Sequence, residues 1–157
     1  MKNSLTVTEA LEKLRNYCAY QERCHREVKN KLYQLGMIPQ AIDQIIGTLV
    51  SENYLNESRF AQQFAHGKFS IKHWGKRRIT RELKARGISN YDIKQALAAI
   101  EIDAYQNKIR TISDKKWSLL SSYSLTVKKQ KLHQYLSYRG WENELIYAQI
   151  DRLSAKD

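Results

Sequence analysis

The sequence predicts an all-α protein built from three tandem three-helix repeats, and three observations support that prediction. The composition favours helix, because only six Gly and one Pro occur in 157 residues while good helix formers such as Leu, Ala, Lys and Glu are frequent. Apolar residues recur along the chain at the spacing of one helix face. The same apolar pattern returns at intervals of 51 and 53 residues, which indicates an internal repeat.

Capping and stop signals mark the first helices. Thr6 and Glu9 have the spacing of a capping box, which predicts a first helix over residues 8–20. A second helix is expected from about residue 21 to a glycine stop, over 21–36. Pro39 then suits the first turn of a third helix.

A common apolar frame relates the three repeats. Its anchors are Gly36, Gly87 and Gly140. Apolar residues stand eight and four positions before each anchor, and six, ten and thirteen positions after it. These positions are Val28, Leu32, Ile42, Ile46, Leu49, Ile79, Leu83, Ile93, Leu97, Ile100, Leu132, Leu136, Ile146, Ile150 and Leu153. Fifteen apolar matches in three anchored frames are hard to attribute to chance, so we interpret them as core positions.

A further helix is expected to precede the frame in each unit, over residues 8–20, 56–72 and 103–120. The repeats are then predicted to span residues 1–54, 55–102 and 103–157. A unit of about 50 residues buries little core alone, so neighbouring units must share contacts. The expected architecture is an elongated, curved array with a long concave surface, which suits binding better than catalysis.

Positive charge is concentrated in the middle of the chain. The formal net charge is +11, and residues 66–88 contribute +7 of it through eight basic residues and one acid, Glu82. A second excess of +5 lies in residues 101–140, whereas residues 1–65 are nearly neutral. Concentrated positive charge on a helical scaffold points to a polyanion such as nucleic acid, or to an acidic protein surface.

Twelve residues of these basic stretches are predicted to contact such a partner. Four cations, Lys76, Arg77, Arg81 and Lys84, are expected along one outward side of a helix. Trp74 is suited either to stacking on a base or to anchoring a partner. The full set is Lys68, Lys72, Trp74, Lys76, Arg77, Arg78, Arg81, Lys84, Arg86, Lys128, Lys129 and Lys131. The sequence leaves open whether these residues meet single-stranded DNA, an acidic protein rim, or both.

Residues that could carry catalysis or bind a metal are scarce. Cys18, Cys24 and His25 lie close together but lack the paired spacing of a zinc site. We expect Cys18 in the first core, and Cys24 and His25 on a helix surface. No Gly-rich phosphate loop or nucleophile elbow occurs, and Glu57 and Glu82 are better explained as helix-stabilising charges. Neither an enzymatic site nor a metal or cofactor is therefore predicted. Trp117 and Trp141 are expected to be packing residues.

Neither a membrane span nor secretion is indicated. No stretch approaches the roughly 20 apolar residues that a spanning helix needs, and the N-terminal segment lacks the apolar core of a signal peptide. Two cysteines are too few for a disulfide framework. We therefore expect a cytoplasmic protein.

Three short segments carry a resemblance to a known family. Residues 55–61 (LNESRFA) and 75–88 (GKRRITRELKARGI) resemble the middle repeat of the RecX family of recombination regulators. Residues 27–36 (EVKNKLYQLG) resemble the phrase of that family's first repeat. The three-unit layout matches as well, so the resemblance covers essentially the whole chain.

The resemblance implies a function beyond what composition and spacing give. A RecX-like protein is expected to bind the RecA recombinase, to lie in the groove of its filament on single-stranded DNA, and to modulate it, usually by inhibition. Its setting would be DNA repair, homologous recombination and the SOS response, with no catalytic site. A monomer is expected. Two alternatives stay open: a stand-alone nucleic-acid-binding module of helix–turn–helix-like units, and a repeat scaffold for another acidic protein.

Overall fold

A computed structural model describes residues 5–157, and every regular element in that range is an α-helix. The helices are α1 (Val7–Tyr20), α2 (His25–Gln34), α3 (Pro39–Ser51), α4 (Glu57–Ser70), α5 (Lys76–Ala85), α6 (Asn90–Ala98), α7 (Ile102–Leu119), α8 (Leu125–Tyr138) and α9 (Asn143–Ser154). The first repeat comprises α1–α3, the second α4–α6 and the third α7–α9. The predicted all-α array of three-helix units is confirmed. No helix of residues 5–157 has both the length and the apolar character to cross a bilayer.

Side-chain caps fix where several helices begin. The hydroxyl of Thr6 accepts the N–H of Glu9 at 3.1 Å, and the Glu9 carboxylate accepts the N–H of Thr6 at 3.3 Å. The capping box predicted for α1 is therefore present. Asn56, Ser89 and Ser124 cap α4, α6 and α8 in the same way, each accepting the backbone N–H three residues later.

The start of α2 differs from the prediction. The helix begins at His25 and not near Gln21, whose backbone is extended (φ −158°, ψ 160°). Cys24 is the N-cap residue, and its N–H donates to the carboxylate of Glu27 at 3.2 Å. This capping contact was not anticipated, since cysteine is not among the usual N-cap residues.

The second helix of each repeat ends at a glycine in the left-handed region. The φ angle is +81° at Gly36, +76° at Gly87 and +86° at Gly140. In each turn the residue after the glycine donates its N–H to the carbonyl five positions earlier, at 3.1 Å. This is the Schellman pattern, in which the residue after the glycine packs against the helix. Those residues are buried in all three repeats: Met37, Ile88 and Trp141. They form a further apolar position of the frame, which the sequence analysis missed.

The apolar frame fills two separate cores. Thirteen of its fifteen residues are buried, and Ile46 and Leu97 are half-buried against the same clusters. The first repeat has its own core, whereas the second and third repeats share one. Cys18 is buried in the first core, as predicted. Cys24 is 0% exposed and packs with the shared core, so its predicted place on a helix surface is wrong. Leu55 packs in the first core, and the repeat boundaries at 54/55 and 102/103 stay predictions.

The chain exposes more surface than a compact protein of its mass. The chain exposes 9816 Å², whereas a compact monomer of 18.5 kDa exposes about 8200 Å². Small units stacked in a row bury less of their surface against one another than the parts of a single spherical domain of the same mass do.

Polar contacts join the first repeat to the second. The guanidinium of Arg59 in α4 donates to the carboxylate of Glu22 at 2.5 Å. Arg26 in α2 donates to the carbonyl of Ala85 at the end of α5. Together with Cys24, these contacts link repeats that otherwise have separate cores.

Repeats two and three meet backbone to backbone at Gly75 and Gly140. The N–H of Gly75 donates to the Arg139 carbonyl at 2.8 Å, and the N–H of Arg77 donates to the Gly140 carbonyl at 2.9 Å. A methyl group at Gly75 would lie 2.5 Å from the Gly140 oxygen, and one at Gly140 would lie 2.7 Å from the Arg78 Cα. No side chain fits at either position, so the first turn of α5 rests directly on the C-terminal turn of α8.

A buried polar network surrounds this contact. The indole N–H of Trp141 donates to the His73 carbonyl at 3.0 Å. The Tyr105 hydroxyl accepts the N–H of Lys76 at 2.8 Å and donates to the carboxylate of Glu142. Burial and the hydrogen bond to Glu142 raise the pKa of Tyr105, which keeps the hydroxyl protonated as a donor.

Leu83→Ala tests the assignment of the frame. Leu83 is 0% exposed in the shared core, so we expect a loss of ~2–5 kcal/mol in the free energy of unfolding. Leu119→Ala is the control, because that side chain is 69% exposed at the end of α7, and it should change stability by about 0.5 kcal/mol or less. Urea denaturation measures both. A loss near zero for Leu83→Ala would mean that the frame is misassigned.

Gly140→Ala compared with Gly36→Ala isolates the contact between repeats two and three. Both glycines have φ above +80°, so alanine strains the backbone by roughly 1–2 kcal/mol in either case. A methyl group at Gly36 meets nothing within 4 Å, whereas at Gly140 it meets the backbone of Arg78. We therefore expect Gly140→Ala to cost about 1–3 kcal/mol more in chemical denaturation. Equal losses would show that the two repeats separate freely at this point.

Candidate functional site

The outward face of α5 carries a row of exposed cations. Arg77, Arg81 and Lys84 follow one another at i, i+4 and i+7, on the side opposite the fully buried Ile79 and Leu83. We call these three cations the outer stripe. None of the ion pairs that the structure describes in residues 5–157 involves them. Their charge is therefore available to an external partner.

Lys76 lies on a flank of α5 and outside the outer stripe. It is half-buried, and its ammonium group lies 4.7 Å from the centre of the Tyr105 ring. The first turn of α5 faces α7 of the third repeat, which draws this side chain inward. Four cations are predicted on one outward side of the helix, and the structure places three there.

The other flank of α5 carries a ladder in which cations alternate with aromatic rings. Its members, in order, are Arg86, Phe64, Lys68, Trp74, Arg78 and Tyr138. The successive distances from cation to ring centre are 4.7, 5.4, 5.1, 4.2 and 4.7 Å. Cations over ring faces at such distances attract the ring quadrupole. We call this row the cation–aromatic ladder, and it crosses from α4 and α5 to α8.

Trp74 is held inside the cation–aromatic ladder. Its ring packs edge-on against Phe64, with the centroids 6.2 Å apart, and the guanidinium of Arg78 lies 4.2 Å from its centre. Trp74 is half-buried, so much of its surface already serves contacts within the protein. Its contact with an external partner stays a prediction.

Other side chains take the structural positions that the sequence predicts. Glu82 accepts from the guanidinium of Arg86 at 3.0 Å, one turn along α5. Trp117 and Trp141 are 7% and 1% exposed and lie in the shared core. These three assignments are confirmed.

The second basic stretch lies on α8, and its cations differ in availability. Lys128 donates to the carboxylate of Asp157 at 2.6 Å, and this hydrogen bond lowers the pKa of Asp157. Lys131 lies 4.7 Å from the centre of the Tyr123 ring. Lys129 is exposed.

The structure thus divides the twelve predicted contact residues into two classes. The exposed class is Lys72, Arg77, Arg81, Lys84 and Lys129. The half-buried class is Lys68, Trp74, Lys76, Arg78, Arg86, Lys128 and Lys131. The exposed residues on α5 form one continuous row, which makes the outer stripe the strongest candidate contact surface. In the described part of the chain, no three His, Cys, Asp or Glu side chains are grouped so that they could hold a metal ion.

A groove on the third repeat was missed by the sequence analysis. It has a volume of about 480 Å³ and lies between the end of α7 and α8. Its lining is Lys116, Leu119, Leu120, Tyr123, Lys131, Gln134, Tyr135, Tyr138 and Arg139. We call it the third-repeat groove. The spacing of Lys131, Tyr135 and Tyr138 at i, i+4 and i+7 was the signal that could have revealed it.

Two family models match the chain. The model described as RecX, second three-helix domain, matches residues 56–97, and the model described as RecX, third three-helix domain, matches residues 103–150. These ranges hold the outer stripe and the third-repeat groove respectively.

Several curated proteins named regulatory protein RecX are similar to this chain. The one from Pseudomonas savastanoi pv. phaseolicola is 32% identical over 128 residues, covering 82% of this chain and 81% of that relative. The relatives from Enterococcus faecalis and Lactobacillus johnsonii are 23% and 28% identical and match 98% and 100% of this chain. The chain spans only 58% and 59% of the length of those two relatives.

Solved structures share the fold. The crystal structure of RecX from Lactobacillus salivarius superposes with a TM-score of 0.83 at 24% identity, covering 95% of this chain and 97% of that one. A second crystal structure of regulatory protein RecX gives a TM-score of 0.84 at 18% identity, covering 92% and 73%. The fold, the two domain models and the identity to the Pseudomonas relative agree: this chain belongs to the RecX family of regulatory proteins.

Proposed function

We propose that this protein binds the RecA recombinase filament on single-stranded DNA and modulates it, usually by inhibiting ATP hydrolysis and strand exchange. The proposal takes its partner from the RecX family. The observation in this chain that carries it is the outer stripe, an exposed row of three cations without internal ion pairs among the described residues. In this proposal the regulator acts in DNA repair and recombination.

The chemistry of the outer stripe suits a nucleoprotein filament. Phosphates of a single strand attract cations spaced along one face, with release of counterions. The guanidinium groups of Arg77 and Arg81 can each hold a phosphate or a carboxylate through two parallel hydrogen bonds. Both DNA and an acidic rim of the recombinase therefore fit the stripe.

The elongated array suits the same partner. Three repeats in a row present a longer surface than one compact domain of the same mass. A ligand of that shape, lying along a filament groove, would contact neighbouring recombinase subunits and obstruct strand exchange between them.

A stand-alone nucleic-acid-binding module is the second candidate, and the tyrosines of the third-repeat groove favour it. Co-sedimentation with RecA filaments, with RecA alone and with DNA alone separates the two. A filament regulator should act at concentrations far below those at which it coats bare DNA. If activity begins only where bare DNA is coated, the module is the better description.

Charge reversal of the outer stripe should abolish regulation without unfolding the protein. In the double variant Arg77→Glu/Arg81→Glu both changes are exposed, so stability should shift by only about 1 kcal/mol or less. Each reversal replaces attraction toward the polyanion by repulsion. We expect normal thermal melting and loss of inhibition of RecA ATP hydrolysis, both measured on one preparation.

The matched control is Lys13→Glu/Lys29→Glu, which changes the net charge equally at two exposed positions of the first repeat. It should inhibit like the parent chain. Full inhibition by the folded stripe variant would place the contact elsewhere, first on the stretch of Lys128, Lys129 and Lys131.

The salt dependence of binding to bare single-stranded DNA distinguishes phosphate contacts from contacts with protein. The logarithm of affinity should fall with the logarithm of salt concentration by about 0.7 for each phosphate engaged. The slope measured for the stripe variant should therefore be shallower by up to about 1.4, which corresponds to two phosphate contacts. Fluorescence titrations at several salt concentrations measure it. A slope that is flat in the parent chain would show that the stripe meets protein and not DNA.

A further inference from the structure

The third-repeat groove combines three cations and three aromatic rings in one lining. Lys116 and Arg139 lie 5.1 and 3.9 Å from the centre of the Tyr135 ring. Lys131 lies 4.7 Å from the centre of the Tyr123 ring. Each cation thus lies beside a ring in the lining of a groove of about 480 Å³.

The charge of the groove is not balanced internally. Three of its lining side chains are cationic and none is a carboxylate. The ion pairs formed within residues 5–157 do not include Lys116, Lys131 or Arg139. The Nε of Arg139 is buried without a hydrogen-bond partner. An anionic ligand complements such a lining.

Two of the three rings of the groove are exposed, and the third, Tyr135, is half-buried. Tyr138 is 69% and Tyr123 is 45% exposed, and the neighbouring Leu119 is 69% exposed. One face of Tyr138 is covered by the guanidinium of Arg78, at 4.7 Å from the ring centre, which holds the ring as the last member of the cation–aromatic ladder. A fixed, exposed ring is a platform for another flat ring.

Only one common class of ligand supplies a flat ring and an anion in regular alternation. In single-stranded nucleic acid each base offers a π face and each linkage offers a phosphate. A duplex hides its base faces in the stack, and an acidic peptide would satisfy the cations while leaving the tyrosines uncovered.

We propose that the third-repeat groove binds single-stranded DNA. Bases stack on Tyr138 and Tyr123, and the phosphates between them lie against Lys116, Lys131 and Arg139. This inference deepens the proposed function, on which it rests, because it adds a second contact with DNA, on the third repeat, to that of the outer stripe.

The test compares two exposed tyrosines on two forms of DNA. The probes are a labelled oligothymidylate and the same strand paired with its complement, and fluorescence anisotropy measures the dissociation constants. Tyr138→Leu keeps an apolar side chain but removes the ring. The control is Tyr91→Leu, which removes a ring of matching exposure, 70%, from α6 outside the groove. Helicity and melting temperature confirm that each variant is folded.

We expect Tyr138→Leu to weaken binding of the single strand by about fivefold or more and to leave the duplex unchanged. Tyr91→Leu should change neither. Lys131→Gln should weaken binding and lower the salt slope on the single strand by about 0.7. Unchanged binding by Tyr138→Leu, an equal loss on both DNA forms, or no binding of the single strand by the parent chain would each overturn the assignment.

The same variants in a RecA ATPase assay separate the two proposals. If the parent chain inhibits RecA but does not need Tyr138 for DNA, the groove assignment fails and the proposed function stands. If Tyr138 is needed for single-stranded DNA but no variant or parent affects RecA, the groove stands and the proposed function fails.

Discussion

The close approach of Gly75 and Gly140 is the constraint that places both cationic surfaces. It seats the first turn of α5 on the C-terminal turn of α8 through two backbone hydrogen bonds of 2.8 and 2.9 Å. Once that end of α5 is fixed and its core face is buried, the rotation of the helix is set. Arg77 then turns to solvent, while Arg78, one residue later, is directed between two aromatic rings. This backbone contact thus determines which cations of α5 face solvent and which pack against aromatic rings of the protein.

Much of the fold could be predicted because its determinants are local in sequence. The glycine stops need a left-handed residue at a fixed distance from the helix they end, and all three have φ above +70°. The Thr6–Glu9 capping box involves residues three apart. The frame positions read directly as one helix face, and thirteen of the fifteen are buried. The glycine stops and the apolar frame recur in all three repeats, which removes the ambiguity that each would have in one repeat alone.

What the sequence could not predict depends on how one repeat meets another. Cys24 was expected on a helix surface, yet it packs with the core that the second and third repeats share. Lys76 was grouped with the outward cations because its offset from them along the helix is small. Its ammonium group instead lies over the ring of Tyr105 in the third repeat. Sequence periodicity carries no information about such junctions until the relative placement of the units is known.

The division into two cores has a consequence for motion. The shared core of the second and third repeats ties their helices into one cooperative unit, whereas the first repeat closes on its own apolar cluster. Its links to the remainder are Cys24 and a few polar contacts such as Glu22 with Arg59. Sub-global opening of α1–α3 therefore breaks few apolar contacts elsewhere, and its amide protons can exchange while the rest of the chain stays closed. The surfaces on α5 and α8 would keep their geometry while the first repeat is open. The folded state of the first repeat can therefore be shorter-lived than that of the second and third repeats.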